Sequence, residues 1–129
     1  MILRGLYERW RLGDLRAGAD MLDEQVISHW PQEFPTGGTY HGPEGHARAM
    51  REWLSAWEDF QIEAEDFISV GDRVVVPFRV RARGRESGVE VERRWAHVWT
   101  MREGKAVGFA VFLSREDALA AVDPSGSDS

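Results

Sequence analysis

Residues 93–113, Arg-Arg-Trp-Ala-His-Val-Trp-Thr-Met-Arg-Glu-Gly-Lys-Ala-Val-Gly-Phe-Ala-Val-Phe-Leu, decide the fold. Trp95, His97, Trp99 and Met101 alternate with Ala96, Val98 and Thr100, the period of two that puts successive side chains on opposite faces of a strand. Arg102-Glu103-Gly104 reads as a three-residue loop with glycine at its left-handed position, after which Val107, Phe109, Val111 and Leu113 continue the ring-bearing face on a second strand. Upstream, Val74, Val76, Phe78, Val80 and Ala82 alternate in the same way. Residues 84–89 then connect two long strands, so that Arg81 faces Glu92 and Arg83 faces Glu90 as opposite-charge pairs. A fourth run at about 60–69 completes an antiparallel meander of strands at about 60–69, 72–83, 89–101 and 105–113. Pro77 has no amide donor and predicts a bulge or an edge.

Three helices are predicted ahead of the meander. Leu3, Leu6, Tyr7 and Trp10 recur at helical spacing, and Gly13-Asp14 stops that helix and caps a second one from Asp14 to about Leu22. Val26-Ile27 reads as a brief strand. A loop from Gln32 through Gly42 follows, and Pro43 starts a third helix with Ala47, Met50, Trp53, Leu54 and Trp57 as its buried stripe. Ser114 caps a short closing helix carrying Ala118, Leu119 and Val122. The fold class is therefore α+β, a curved antiparallel sheet packed on N-terminal helices, in one domain over residues 1–122 with a disordered tail at 123–129.

Composition limits the functions. The 129 residues, 43% hydrophobic and 29% charged, suit a single globular domain. Sixteen basic against 22 acidic residues leave a net charge of −6, which disfavours nucleic acid as a partner. The absence of cysteine excludes disulfides, thiolate metal sites and thiol nucleophiles. No long apolar stretch occurs, so neither signal peptide nor membrane span is expected, and a cytoplasmic location is. Six Trp and six Phe are many for this length, and such rings fill cores or line pockets for apolar ligands.

His97 is the leading candidate for chemistry. Flanked on its face by Trp95 and Trp99, it is expected to be neutral and to act as base, acid or hydrogen-bond donor, the alternative being a core histidine satisfied by a backbone or tyrosine partner. Tyr7 brings a hydroxyl from the first helix to the same interior. Phe78 and Phe109 add rings to the pocket wall, and Arg93 lies toward its rim. Trp30, Glu33 and Tyr40 flank the loop expected over the mouth. His41, Glu44 and His46 match no zinc spacing, so no metal is expected, nor any cofactor. Arg79 to Arg85 read as a charge-paired sheet face, and no Ser-His-Asp set or phosphate loop can be drawn. The opposite face carries Val75, Pro77, Ala96, Val98, Gly108, Ala110 and Phe112, apolar enough to need a cover. A homodimer through that outer sheet face is expected, the alternative being a C-terminal segment folded back over it.

Leu6-Tyr7 through Gly13-Asp14-Leu15, Gly38-Thr39-Tyr40-His41-Gly42-Pro43-Glu44-Gly45, Ala96-His97-Val98-Trp99-Thr100 and Gly104-Lys105, in this order of elements, resemble the nuclear transport factor 2-like superfamily and its SnoaL-like group. The resemblance runs from about residue 3 to 122. It implies a cystatin-like α+β cone with one internal pocket and pairing into dimers, in a superfamily of isomerases, cyclases, epoxide hydrolases, dehydratases and non-catalytic binders. Against ketosteroid isomerase, it puts Trp30 at the place of the carboxylate base, His97 at the oxyanion-binding aspartate and Tyr7 within one position of the tyrosine. Ser114 stands where many SnoaL-like chains carry aspartate, and Arg93 is the only inward member of the Asp-Arg-Asp set of epoxide hydrolases. Two functions follow. One is a small-molecule binder with an aromatic-lined pocket for an apolar or aromatic ligand, with isomerase, cyclase or hydrolase chemistry as its enzymatic version. The other is a non-catalytic dimeric binding or scaffolding module with a filled cone.

Overall fold

The computed structural model describes residues 2–123. The expected disorder of the tail, apart from Asp123, concerns residues outside that range. The elements are α1 (Ile2–Arg11), β1 (Leu22–Trp30), β2 (Gly38–His41), α2 (Gly42–Ser55), β3 (Trp57–Ala64), β4 (Ile68–Val70), β5 (Arg73–Gly84), β6 (Glu90–Arg102), β7 (Lys105–Phe112) and α3 (Arg115–Val122). The strands form one curved, unclosed sheet in the order β2-β1-β7-β6-β5-β3, with β4 also on β5. The α+β architecture is as expected, with one addition: β1 runs parallel to β7, while the other pairings are antiparallel.

α1 buries Leu3, Leu6, Tyr7 and Trp10 at the spacing that aligns residues along one helix face. Gly13, at φ +100°, ends it: its amide donates to the Trp10 carbonyl and that of Asp14 to the Arg9 carbonyl, the paired bonds of a Schellman stop. The predicted helix from Asp14 to Leu22 does not form. Gly18 at φ +110° interrupts any helix there, Trp10 Nε1 donates to the Ala17 carbonyl at 3.1 Å, and only a 3-10 turn over Ala19–Met21 remains. The brief strand at Val26-Ile27 is instead nine residues long, because β2 and β7 support it on both sides. Trp57 belongs to β3, not to the helical stripe.

In the meander, Arg81 lies opposite Glu92 and Arg83 opposite Glu90, as the alternation requires. The β6–β7 turn is tighter than read. Arg102 pairs with Lys105, leaving Glu103 and Gly104, at φ 51° and 79°, as a two-residue loop whose twist matches the flanking strands. The register then jumps between Thr100–Gly108 and Met101–Ala106, so Ala106 rather than Val107 is buried. Pro77 sits at neither a bulge nor an edge of β5. Its carbonyl accepts from the Glu65 amide just where β3 ends and before β4 begins, so its missing donor faces the gap between those two partners.

The concave face holds Val74, Val76, Phe78, Val80, Trp99 and Phe109 beneath α1 and α2. On the convex face, Val75, Ala96 and Val98 pack under Ala118 and Val122 of α3, the C-terminal cover weighed against a dimer. Ala110 and Phe112 stay half-buried there, and Ile27 is 36% exposed.

Candidate functional site

α1 and β6 bring Tyr7, His97 and Trp99 into one hydrogen-bonded chain. Trp99 Nε1 donates to the Tyr7 hydroxyl at 2.8 Å, and that hydroxyl lies 2.6 Å from His97 Nδ1. Indole nitrogen only donates, so the tyrosine oxygen accepts from Trp99, and the same hydroxyl donates to Nδ1 when His97 is the Nε2–H tautomer. Phe78 and Phe109 lie against the imidazole, with ring centroids 4.1 and 4.7 Å away. Burial, with a smaller contribution from His46, pushes the His97 pKa down to about 3, and burial raises that of Tyr7. Tyr7 and His97 are therefore both neutral at physiological pH.

A second pair repeats the arrangement on the other side of Phe109. Ser28 Oγ of β1 lies 2.5 Å from His46 Nδ1 of α2, and the His46 ring centroid is 5.0 Å from that of Phe109. Ser28 is fully buried, and its hydroxyl donates to Nδ1 when His46 is the Nε2–H tautomer. Burial lowers the His46 pKa to about 4. Sequence reasoning placed His46 beside a loop and missed both residues. The signals were present: His46, Ala49, Met50, Trp53 and Leu54 share one helix face, and Val26, Ser28 and Trp30 share one strand face.

Two cavities adjoin these pairs. The inner one measures only about 30 Å³, room for a single water, among Trp30, Phe34, Trp53, Phe78, Trp95 and His97. Phe34 fills it, stacked on Trp53 at 4.5 Å and 5.0 Å from Trp95. The outer one is a groove of about 670 Å³ between α2 on one side and α1 with residues 15–22 on the other, with His46 and Trp99 on its lining. Trp10, Leu15, Met50 and Leu54 border both. Among the described residues, no carboxylate lines either cavity.

The sequence-derived residues divide accordingly. His97, Tyr7, Trp30, Phe78, Trp95, Trp99 and Phe109 converge within the cone. Trp30 carries a buried Nε1 without a hydrogen-bond partner. Tyr7 and Phe109 are packed in the core without lining either cavity, and three others lie outside both cavities and away from these rings. Glu33 is exposed, since its loop turns Phe34 inward instead. Arg93 is exposed and donates to the Glu92 carbonyl. Tyr40 is half-buried, its hydroxyl donating to the Thr36 carbonyl at 3.0 Å. Among the described residues no cluster of three His, Asp or Glu side chains is placed to hold a metal, and no helix is long and apolar enough to cross a membrane.

A sequence model described as a SnoaL-like domain matches residues 3–109. Among solved structures, a nuclear transport factor 2-like protein from Burkholderia thailandensis is 25% identical, with 95% of each chain covered and a TM-score of 0.79. TerC co-crystallised with polyporic acid is 23% identical over 93% of each chain, TM-score 0.74. A candidate SnoaL-like polyketide cyclase from Mesorhizobium loti is 19% identical over 86% of this chain and 95% of its own, TM-score 0.71. No curated protein matches the sequence.

Proposed function

The chain belongs to the SnoaL-like domain family, and from that premise we propose that it binds a small, mostly apolar molecule in the groove and the aromatic cavity behind it. The observation that carries this reading is the groove itself, about 670 Å³ with mostly apolar walls, parted from His97 and the inner rings by Trp10, Leu15, Met50 and Leu54. Methionine is the most adaptable of these walls. TerC, of similar fold, was crystallised with polyporic acid, which supports small-molecule occupancy here.

Binding is favoured over acid–base turnover. A histidine with a pKa near 3 is a weak base at neutral pH, and no carboxylate stands by to serve instead. As the Nε2–H tautomer, His97 is better suited to donate to a ligand carbonyl. In the enzymatic version, His97→Ala abolishes turnover with a modest change in affinity.

The test is titration with 2-acetylnaphthalene, a flat neutral ketone, read by tryptophan fluorescence. Saturable one-to-one quenching is expected, weakened at least about fivefold by Met50→Trp, which fills the wall. Absence of saturable quenching overturns the reading. The filled cone is the second reading, favoured by an inner cavity that admits one water. It requires that no probe bind. The part of the convex face beyond α3, around Ile27 and Phe112, is the surface we propose for pairing with a second copy, and native mass spectrometry reports it directly.

A further inference from the structure

We propose that the ligand of this groove is an amphipathic carboxylate, its head held between Arg16 and Arg51 and its apolar body lying along α2 toward His46. The proposal rests on the small-molecule reading above and names the ligand class.

The groove is built from one complete helix face. Pro43, His46, Ala47, Met50, Arg51 and Leu54 follow one another at steps of three and one, so every residue of that α2 stripe lines it. The facing wall comes from Leu6 and Trp10 of α1 and from Leu15, Ala17 and Leu22. Among the described residues charge enters at two points, Arg51 on α2 and Arg16 on the facing segment, and both side chains are exposed.

These two guanidinium groups differ from most others in the chain. Seven arginines between Arg9 and Arg115 pair with carboxylates. Arg16 and Arg51 make no ion pair or hydrogen bond among the described residues, in a chain of 22 acidic residues and net charge −6. Arg4, Arg48, Arg81 and Arg102 make none either, but Arg4 and Arg48 stand over aromatic rings and none of these four lines a cavity. No Asp or Glu among the described residues lines the groove. Two unpaired cations on opposite walls of an apolar trough select an anion attached to an apolar body, and a carboxylate fits the guanidinium fork through two parallel hydrogen bonds. At 1.5 Å per helical residue, the stripe from Arg51 to Pro43 spans about 12 Å, the reach of an acyl chain of about eight to ten carbons.

Decanoate and 1-decanol, which share a chain and differ in the head, are the probes. Trp10 and Trp99 on the lining report occupancy by fluorescence. Decanoate is expected to bind at least about tenfold tighter than decanol, with the advantage falling as salt rises. The Arg16→Ala/Arg51→Ala variant is expected to bring decanoate to the level of decanol, with decanol binding shifting far less than decanoate binding, and the double lysine variant to restore part of the difference. Circular dichroism verifies that these surface variants stay folded. Equal binding of the two probes, or an advantage that survives the double alanine variant, overturns the carboxylate assignment and leaves the apolar reading standing. If neither probe binds, the assignment falls, and 2-acetylnaphthalene then decides whether the small-molecule reading falls with it.

Discussion

Tyr7 and His97, 90 residues apart in the chain, are joined by a 2.6 Å hydrogen bond that ties α1 to the middle of β6. Because Trp99 donates to the same hydroxyl, Tyr7→Phe strands two buried groups at once, His97 Nδ1 and Trp99 Nε1. A cost of about 2–4 kcal/mol is expected. His97→Leu leaves only the Tyr7 hydroxyl without its ring partner and costs less. In the double variant only Trp99 Nε1 is left over, so the two effects fall short of additivity by about 1–2 kcal/mol. Urea unfolding of the four proteins measures this coupling, and strict additivity would show that the bond contributes nothing.

Acidification should destabilise the fold before most carboxylates titrate. His97 and His46 have folded pKa values of about 3 and about 4 against an ordinary 6.5, so the unfolded chain binds more protons between these limits. Stability from each neutral imidazole is complete above pH 6.5, declines as pH falls, and is gone below the folded pKa. The slope is up to about 1.4 kcal/mol per pH unit for each group. Urea midpoints at pH 7.5, 6.0 and 5.0 should fall steadily in the wild type and much less in His46→Gln/His97→Gln. An equal fall in the variant would assign the effect to other groups.

What the sequence made legible follows the reach of its signals. The β5–β6 register could be read because alternation and the pairs Arg81–Glu92 and Arg83–Glu90 agree over a long hairpin. The ring-lined interior around His97 followed from the same period. The parallel partnership of β1 with β7 could not be read, since it joins segments about 80 residues apart with no shared turn. Gly18 carried the evidence against a second helix, but helical spacing at Leu15, Ala19 and Leu22 outweighed it. The loop was read from its charge, Glu33, while burial selected its neighbour Phe34. His46 was hidden for a related reason: near Gly-Pro-Glu-Gly it resembles a loop residue, and only the full α2 stripe places it inside.

The same glycine sets up a paired test of backbone freedom. A Cβ at Gly18 would lie 2.8 Å from Leu6 Cδ1 and sit at φ +110°, so Gly18→Ala adds conformational strain to a contact that Leu6 must relieve. A loss of about 1–3 kcal/mol is expected. Gly5 lies in α1, where an added methyl group would meet no atom within 4 Å beyond its chain neighbours and its own helix backbone, and Gly5→Ala should gain about 0.5–1 kcal/mol. Thermal melts of the two variants should shift in opposite directions, and a stabilising Gly18→Ala would contradict the assigned conformation.

α3 is eight residues long and too short to persist without help, so its attachments should be measurable one by one. At its start, Ser114 Oγ accepts from the Asp117 amide at 3.1 Å, with Glu116 and Asp117 favourably placed in the first turn. At its end, Arg73 donates to the Ala121 carbonyl at 3.2 Å, supplying a donor that the helix itself cannot. Between these ends only Ala118 and Val122 are buried. Ser114→Ala should cost about 1 kcal/mol and Arg73→Ala a similar amount, together accelerating amide exchange in α3 by about tenfold or more. Exchange in β6 should change much less, because its ladders to β5 and β7 do not pass through the helix. Loosening α3 also uncovers Val75, Ala96 and Val98, so the double variant should self-associate more than the wild type at matched concentration. Unchanged exchange in α3 would mean that its apolar contacts alone hold it against the sheet.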